Sequence, residues 1–410
     1  MEHPKLAGAA EEAFAGSEIV GMTAWVLATR AGGEGEGGPA AALADAVRGR
    51  GQHNPLLWPE EEAQRLLRGT SVLPQLPARR AEVALAYERI ATHESIDARA
   101  LGLTYDAFAA AFCDVLASAV YLPSAECFAL VPTVSTVMAH GDCGGGGANG
   151  GGVGSDRRRV AEGGGGSRGV LVDYDLESEC VVVVAEREYA AGDEPRLPWG
   201  EGRNSADLAL TFGELDAEGK ARDDFLTFQF GMVQNDSLYT VKAGVLAELG
   251  YATDGQEFPV FEDRFPTQLL NYLRLSRVTD IGLLAKLSME TDNILSQINE
   301  YEILQLLMGD VRERLEEFEN TDTVGEQQTL RDAELNGREE LATLLRLGEK
   351  RVLQGTMTGV RTRLAPIRGV PTKGGGMQDP NADLAEMFES FEQLPKRIAT
   401  GKIFDGLFED

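Results

Sequence analysis

Apolar residues in the first part of the chain recur at the spacing of α-helices. Ser17 stands where an N-cap is expected, and the apolar positions after it repeat every three or four residues, which predicts a helix over 18–30. Alanine-rich segments of the same spacing fill residues 59–117. We therefore expect the chain to begin with a helical region that extends to residue 117.

From residue 118 onward the pattern changes to short apolar runs that are rich in β-branched residues. CFALVPTVSTVM at 127–138 indicates a strand broken at Pro132, and LVDYDL, CVVVVAERE and DDFLTFQFGM indicate further strands. Residues 141–169 contain fourteen glycines and no GK[ST] sequence, so we interpret them as a disordered insertion and not as a phosphate-binding loop. This part of the chain is therefore predicted to form a small, irregular β domain.

Only helices are predicted from residue 239 onward. One stripe of apolar residues lies on one face of 304–318 and a second on one face of 341–352, as expected for helices that pack into a bundle. After residue 357 the chain is rich in glycine and proline, which predicts a mobile tail. The predicted fold class is therefore α+β: a small irregular β core with a helical insertion, followed by an all-α C-terminal domain.

The charge of the chain argues against one large class of partners. Lys and Arg number 38 and Asp and Glu number 66, which gives a net charge of −28. Because binding to nucleic acid needs a basic face, we expect no nucleic-acid partner. No stretch reaches the roughly 18–20 apolar residues that a membrane helix needs, so we expect no membrane partner either. The acidic surface is compatible with a basic protein partner.

Three other features of the sequence give little support for a metal site, a nucleotide site or a particular compartment. The four cysteines have no CxxC spacing, and with four histidines in the chain they predict no metal site. The glycines of AGGEGEGG at 31–38 match G-x-G-x-x-G, but the two glutamates between them would face the pyrophosphate, so we interpret the segment as a polar loop. The N-terminus has no Arg/Ser-rich transit peptide, and the compartment is left open between cytoplasm and chloroplast.

Several segments resemble one protein family, in the same order along the chain. EREYAAGDEPRLPWGEGRNSADLALTFGELD resembles the stretch that ends in SNxxLLxxYGF in SET-domain proteins of the Rubisco large-subunit lysine methyltransferase (LSMT) type. LLWPEEEAQRLLRGTSV resembles the family's helical insert, and ALVPTVSTVMAH resembles LVPxxDxxNH. FPTQLLNYLRLSRVTD, SQINEYEILQLL and RLGEKRVL resemble its C-terminal substrate-binding domain. The resemblance covers residues 18–355, which is most of the chain.

The resemblance implies an order of domains. The predicted segments are an unassigned N-terminus at 1–17, the helical insert of the SET region at 18–117, a SET β core at 118–232 that contains the insertion 141–169, a helical substrate-binding domain at 233–356, and a mobile tail at 357–410.

The resemblance also implies methyl transfer from S-adenosylmethionine (SAM) to a lysine amine. This reaction is a direct displacement, so it depends on alignment, and aromatic hydroxyls in a narrow channel orient the amine and stabilise charge near the sulfonium. The family's two catalytic tyrosine positions fall at Trp199 and Phe212, neither of which has a hydroxyl. The two rings are therefore either core aromatics of the β domain or walls of a channel that has lost its catalytic groups.

The other site positions also depart from the family pattern. The pair that holds the cofactor falls at Met138-Ala139, or at Ala139-His140 if one residue is inserted; otherwise His140 is a loop histidine. The arginine of the family's Ser-Arg pair, a cofactor ligand, is missing at Ala117-Ser118. The predicted substrate-channel residues are Ser118, Ser135 and Tyr174.

Two interpretations of the function follow. In the first, the chain is non-catalytic and acts as a protein-binding scaffold through its helical C-terminal domain. In the second, it is an active SAM-dependent protein-lysine methyltransferase whose N-terminal SET segment, with its cofactor loop, is missing from this sequence. We favour the first, because a missing segment does not explain substitutions in the interior of the chain.

Overall fold

The structure, a computed structural model of the chain, separates into two compact units. The first combines Met1–Phe225 with Glu317–Lys350, and the second combines Leu226–Glu316 with the residues from Arg351 onward. Residues 317–350, which the sequence analysis placed in the C-terminal domain, therefore belong to the first unit. The structure describes residues 6, 11–14, 16–32, 38–137, 170–185, 188–191, 195–197, 202–215 and 224–368.

The predicted helical region is confirmed. Its α-helices are α1 (Glu18–Arg30), α2 (Pro39–Ala46), α3 (Glu60–Leu66), α4 (Leu76–Thr92) and α5 (Tyr105–Leu116). Ser17 caps α1 as expected, since its Oγ accepts a hydrogen bond from the backbone N–H of Val20 at 3.4 Å. Helix α1 packs against α2 and α5, and Val26, Ala28 and Phe108 are completely buried in the shared apolar core.

The strands between residues 120 and 185 form two small antiparallel pairs. Strand β1 (Val120–Leu122) pairs with β2 (Cys127–Ala129), and β3 (Val170–Asp175) pairs with β4 (Cys180–Ala185). In β3, Val170 and Val172 are buried and Leu171 between them is exposed, as expected for a strand with one face on a core. This face packs into an apolar cluster whose buried residues are Leu122, Val131, Val134, Val170, Val172 and Leu197.

The predicted strand over 127–138 is only partly right. Strand β2 ends at Ala129, and the residues from Pro132 onward form a short helix, α6 (Pro132–Val137). Proline is favourable in the first turn of a helix because its missing N–H would have no partner there. The sequence pattern was apolar and β-branched, but the proline begins a helix and does not interrupt a strand.

Helix α7 (Ser205–Phe212) and strand β5 (Phe225–Phe230) follow. The predicted strand in DDFLTFQFGM is thus confirmed. The prediction that only helices follow residue 239 is wrong at β6 (Gln256–Phe261), which forms a two-stranded sheet with β5. Pro259 lies inside β6, and a proline in the middle of an apolar run argues against a strand from sequence alone.

The other elements after residue 239 are helices, as predicted. The helices are α8 (Tyr239–Glu248), α9 (Thr267–Arg277), α10 (Ile281–Leu284), α11 (Gln297–Glu316), α12 (Val324–Asp332) and α13 (Gly337–Arg368). The last helix continues past the predicted start of the tail at 357, because Met357, Val360 and Leu364 are buried on one of its faces. The rest of the predicted tail lies outside the described residues, as do the insertion 141–169 and the glycines 33–37.

Both predicted apolar stripes are buried. In α11 the residues Leu304, Leu307 and Val311 have no exposed surface. In α13 the residues Leu341 and Leu345 pack into a separate core of the first unit. The other buried members of that core are Trp58, Ala63, Leu66, Leu67, Val72, Leu76, Ala206, Ala209, Leu210 and Ala342.

A buried arginine joins the helices of the second unit. Arg274 of α9 has no exposed surface, and its guanidinium binds both carboxylate oxygens of Glu300 in α11, at 2.7 and 2.8 Å. The same guanidinium donates to Asn271 at 2.8 Å and pairs with Asp292 at 2.7 Å. Because Glu300 is 1% exposed, its charge depends chiefly on Arg274; the Nη1 of Arg363 lies farther away, 4.0 Å from Oε1 of Glu300.

Replacing this arginine tests whether it holds α9 and α11 together. We expect Arg274→Met to lower the free energy of opening of these helices by about 3–5 kcal/mol, because it leaves the buried Glu300 with Arg363, at 4.0 Å, as its remaining described ion pair. Amide hydrogen exchange of α9 and α11 in the full chain measures this loss. The control is Arg361→Met on the exposed face of α13, which we expect to change it by less than about 0.5 kcal/mol. Equal protection in the two variants would contradict this role.

Candidate functional site

The candidate site is built on α7, the short helix that ends at Phe212. Asn204 caps this helix, since its side chain accepts a hydrogen bond from the backbone N–H of Asp207 at 2.8 Å. The next residue, Ser205, donates to Asp224 through its backbone N–H at 2.8 Å and through its hydroxyl at 2.6 Å. Ser205 and Asp224 are both buried, so the start of α7 is fixed to the chain just before β5.

The end of α7 is held by the segment around Asn54. The Asn54 side chain is completely buried, and its Nδ2 donates to the carbonyl oxygen of Leu210 at 2.8 Å. Gly213 ends the helix with φ +70°, and a Cβ atom at that position would lie 2.7 Å from the backbone nitrogen of Asn54. Only glycine fits this combination of left-handed backbone and close approach.

The Asn54 segment is itself fixed to α5 by a buried carboxylate. Asp114 accepts hydrogen bonds from the backbone N–H groups of Gly49 at 2.9 Å and Gly51 at 3.2 Å, and pairs with Arg30 at 3.1 Å. Burial raises the pKa of Asp114, while the hydrogen bonds from Gly51 and Arg30 oppose that shift. A Cβ atom on Gly51 would lie 2.3 Å from the carbonyl of Cys113. A continuous series of contacts therefore runs from α5 through residues 49–54 to α7.

Phe212 is a packed aromatic residue in this structure. It is 6% exposed, it lies against Leu208 and Leu215, and the Arg203 guanidinium carbon lies 5.4 Å from its ring centroid. A phenyl ring presents a π-face to this cation and has no hydroxyl that could bind a substrate amine. Its role as a former catalytic position stays a prediction.

Of the other predicted channel residues, Ser135 and Tyr174 lie near the same apolar cluster. Tyr174 is half-buried on β3 and packs against that cluster, to which Val134 of α6 also belongs. The neighbouring Ser135 is 2% exposed, and its Oγ accepts a hydrogen bond from the backbone N–H of Val131 at 2.9 Å. The Ser135 hydroxyl therefore supports the first turn of α6. Phe212 belongs to a different cluster, so the described contacts do not join it to these two residues.

Ser118 has a different environment. It follows α5, it is 1% exposed, and its Oγ has no hydrogen-bond partner among the described residues. A buried hydroxyl without a partner costs about 1–3 kcal/mol. It is therefore the one predicted channel residue with an unused buried polar atom in the described part of the chain.

The remaining predicted site residues are Trp199, Met138, Ala139 and His140, and they lie outside the described residues. Within the described ranges no three His, Cys, Asp or Glu side chains come close enough to hold a metal ion. None of the described helices is both long and apolar enough to span a bilayer.

Sequence reasoning did not identify the residues that position α7. Asn54 precedes Pro55 and accepts from the backbone N–H of Leu56 at 3.0 Å, so an Asn-Pro pair was the local signal for a helix cap. The bond from Asn54 to Leu210 joins residues 156 positions apart, and no periodic pattern reports such a contact.

A matched pair of glycine substitutions tests whether this contact fixes α7. We expect Gly213→Ala to cost more than about 2 kcal/mol, since it combines a left-handed φ with a collision against the Asn54 backbone. This corresponds to a Tm lower by about 4–8 °C for a unit of this size.

The control is Gly21→Ala in the first turn of α1. A Cβ atom there would meet only Phe14, at an ordinary 3.8 Å, and alanine favours the helix by up to about 1 kcal/mol. Thermal melting of the two full-length variants followed by circular dichroism makes the comparison. A Tm for the Gly213 variant at or above that of the control would show that the α7 junction is not constrained as described.

The comparisons with known proteins point to one fold. Residues 233–353 match the family described as Rubisco LSMT substrate-binding. A crystal structure of the SET domain of LSMT bound to lysine and AdoHcy has a TM-score of 0.61 at 18% identity, and covers 92% of this chain and 86% of that one. A structure of Rubisco LSMT bound to AdoMet has a TM-score of 0.56 at 18% identity, with the same coverage. The chain therefore has the fold of these structures, and the predicted α+β class is confirmed.

Curated proteins match a smaller part of the chain. Actin-histidine N-methyltransferase of Canis lupus familiaris is 28% identical over 198 residues, which is 45% of this chain and 33% of the relative. The protein of the same name from Rattus norvegicus is 27% identical over 200 residues, 45% of this chain and 32% of the relative. The match thus spans about a third of the length of these relatives.

Proposed function

We infer the function from the premise that this chain is an LSMT-like SET-domain protein, which at family level places it among the SAM-dependent protein methyltransferases. We propose that this particular chain is non-catalytic. Its SET region acts as a scaffold, and its helical C-terminal region binds a protein partner.

The environment of Phe212 is the observation that carries this proposal. The family position calls for a tyrosine hydroxyl, whereas this ring is packed against Leu208 and Leu215 under the Arg203 guanidinium. Loss of one preorganised donor of this kind typically costs about two to three orders of magnitude in rate. The second tyrosine position is Trp199, so the chain has substitutions at both catalytic tyrosines.

The described residues also fit SAM poorly. SAM would supply the methyl group, and its carboxylate needs a charged donor to leave water at little cost. Where the resemblance expects an arginine, the chain has Ala117 and Ser118, and the Ser118 hydroxyl is a neutral donor in a buried position. We therefore derive no step of methyl transfer through a bound cofactor.

A cleft in the second unit supports the partner-binding part of the proposal. It has a volume of about 650 Å³ and lies within the residues that match the substrate-binding family. Arg277 and Glu302 line it, together with apolar surface from Val233 and Leu306. Asp236, which also lines it, pairs with the completely buried Lys242. A cleft with three charged lining residues and apolar walls suits a polypeptide side chain.

The second candidate function is an active protein methyltransferase. Two observations favour it: the likeness to the LSMT structures extends over 92% of this chain, and Ser118 retains a buried hydroxyl without a partner among the described residues. The similar proteins differ in the amino acid involved: one structure is bound to lysine, whereas the curated relatives are named for methylation of a histidine. Any residual activity is therefore to be sought on both side chains.

Calorimetric titration of SAM into the full chain tests the proposal. We expect no measurable heat of binding, because the described cofactor position lacks its cation. The double variant Trp199→Tyr/Phe212→Tyr is titrated alongside and is also expected not to bind, since it restores hydroxyls and no cofactor ligand. Circular dichroism establishes that both proteins are folded. Micromolar binding by the unmodified chain would contradict the proposal and favour the active enzyme.

A further inference from the structure

A second cleft lies entirely within the first unit. It has a volume of about 540 Å³ and is bounded by the end of α3, by α12 and by the first part of α13. A cavity of this size accommodates a small organic molecule. Its charged lining residues are Arg65, Arg68, Glu319, Glu326, Arg346 and Lys350.

Two of the four cations are held rigidly in the wall. Lys350 is 1% exposed and donates to Glu326 at 2.7 Å and to the carbonyl oxygen of Asp322 at 3.1 Å. Arg346 donates to the carbonyl oxygen of Leu66 and pairs with Glu326 at 3.5 Å. Because these contacts fix both groups, they contribute a positive field that needs no reorganisation when a ligand enters.

The other two cations are available to a ligand. Arg65 and Arg68 lie three positions apart at the end of α3, and both are exposed. Neither side chain has a hydrogen bond or an ion pair with any residue that the structure describes. Each guanidinium therefore presents its full set of N–H donors, in the planar geometry that matches a phosphate or a carboxylate.

The charges in the cleft do not balance. Four cations, Arg65, Arg68, Arg346 and Lys350, face two carboxylates, so the lining has a net charge of +2. The chain as a whole has a net charge of −28. A local excess of two positive charges on so acidic a protein matches the charge of a phosphate monoester dianion.

We propose that this cleft is a binding site for a phosphate monoester, in which Arg65 and Arg68 bind the phosphate. The phosphate comes either from a free sugar phosphate or from a phosphoserine in a protein. The site does not depend on methyl transfer, and it does not depend on the partner proposed for the second unit.

Isothermal titration of the full chain with three probes tests the site. The probes are glucose 6-phosphate, a short phosphoserine peptide, and the same peptide without phosphate. We expect one of the two phosphorylated probes to bind and the unphosphorylated peptide not to bind. The probe that binds identifies the source of the phosphate. Binding of neither phosphorylated probe, or equal binding of the peptide with and without phosphate, would overturn the proposal.

A matched pair of double variants locates the site. Arg65→Gln/Arg68→Gln is expected to weaken binding by about tenfold to a hundredfold, the loss that corresponds to one or two charge-assisted hydrogen bonds. The control Arg48→Gln/Arg99→Gln removes the same charge from exposed arginines that do not line the cleft, and we expect less than a twofold change. Both variants alter exposed side chains, so their folds are expected to be intact. Equal weakening in the two variants would show that only the net charge of the protein matters.

Discussion

The hydrogen bond from the Asn54 side-chain amide to the carbonyl oxygen of Leu210 joins segments 156 positions apart, and the position of α7 depends on it. Leaving a buried carbonyl without this donor costs about 1–3 kcal/mol. The close approach also accounts for Gly213, because no larger residue fits against the Asn54 backbone. Asp114 holds residues 49 and 51 on α5, and Asp224 holds the other end of α7 at Ser205. Phe212 is therefore placed by buried polar contacts at both ends of α7.

The contacts that place α7 do not require a hydroxyl at position 212. The fold of this part of the chain rests on buried apolar residues and on the hydrogen bonds of Asn54, Asp114 and Asp224. A catalytic hydroxyl contributes to the transition state, and a phenyl ring in its place packs at least as well in an apolar cluster. The two clefts lie elsewhere. Neither is lined by Trp199 or Phe212, the positions where the resemblance places the catalytic tyrosines.

The sequence predicted what periodicity and local chemistry report. Helix α1 with its Ser17 cap, the buried stripe in α11, and the α+β class could be predicted because their signals lie within about one element. Strand β6 was missed because Pro259 interrupts the alternation of apolar and polar residues that predicts a strand. The extension of α13 was missed because the many glycines and prolines beyond residue 368 dominate the composition of the segment that starts at 357.

For the site, the resemblance identified positions, but the surroundings of each side chain could not be predicted. The resemblance identified Phe212, and its burial was one of the two alternatives that the residues allowed. The support from Asn54 and the grouping of Arg65 with Arg346 could not be predicted, because each depends on contacts between distant parts of the chain. Trp199 and residues 138–140 stay predictions.

A transfer assay with radiolabelled SAM shows directly whether the chain transfers methyl groups. The full chain is incubated with a peptide library that contains lysine and histidine acceptors, and label in the peptides is counted against a heat-inactivated sample. We expect no incorporation above that control, because both positions that the resemblance assigns to catalytic tyrosines lack a hydroxyl. Label that requires the folded chain and increases with its concentration would overturn the proposed non-catalytic function and establish an active methyltransferase.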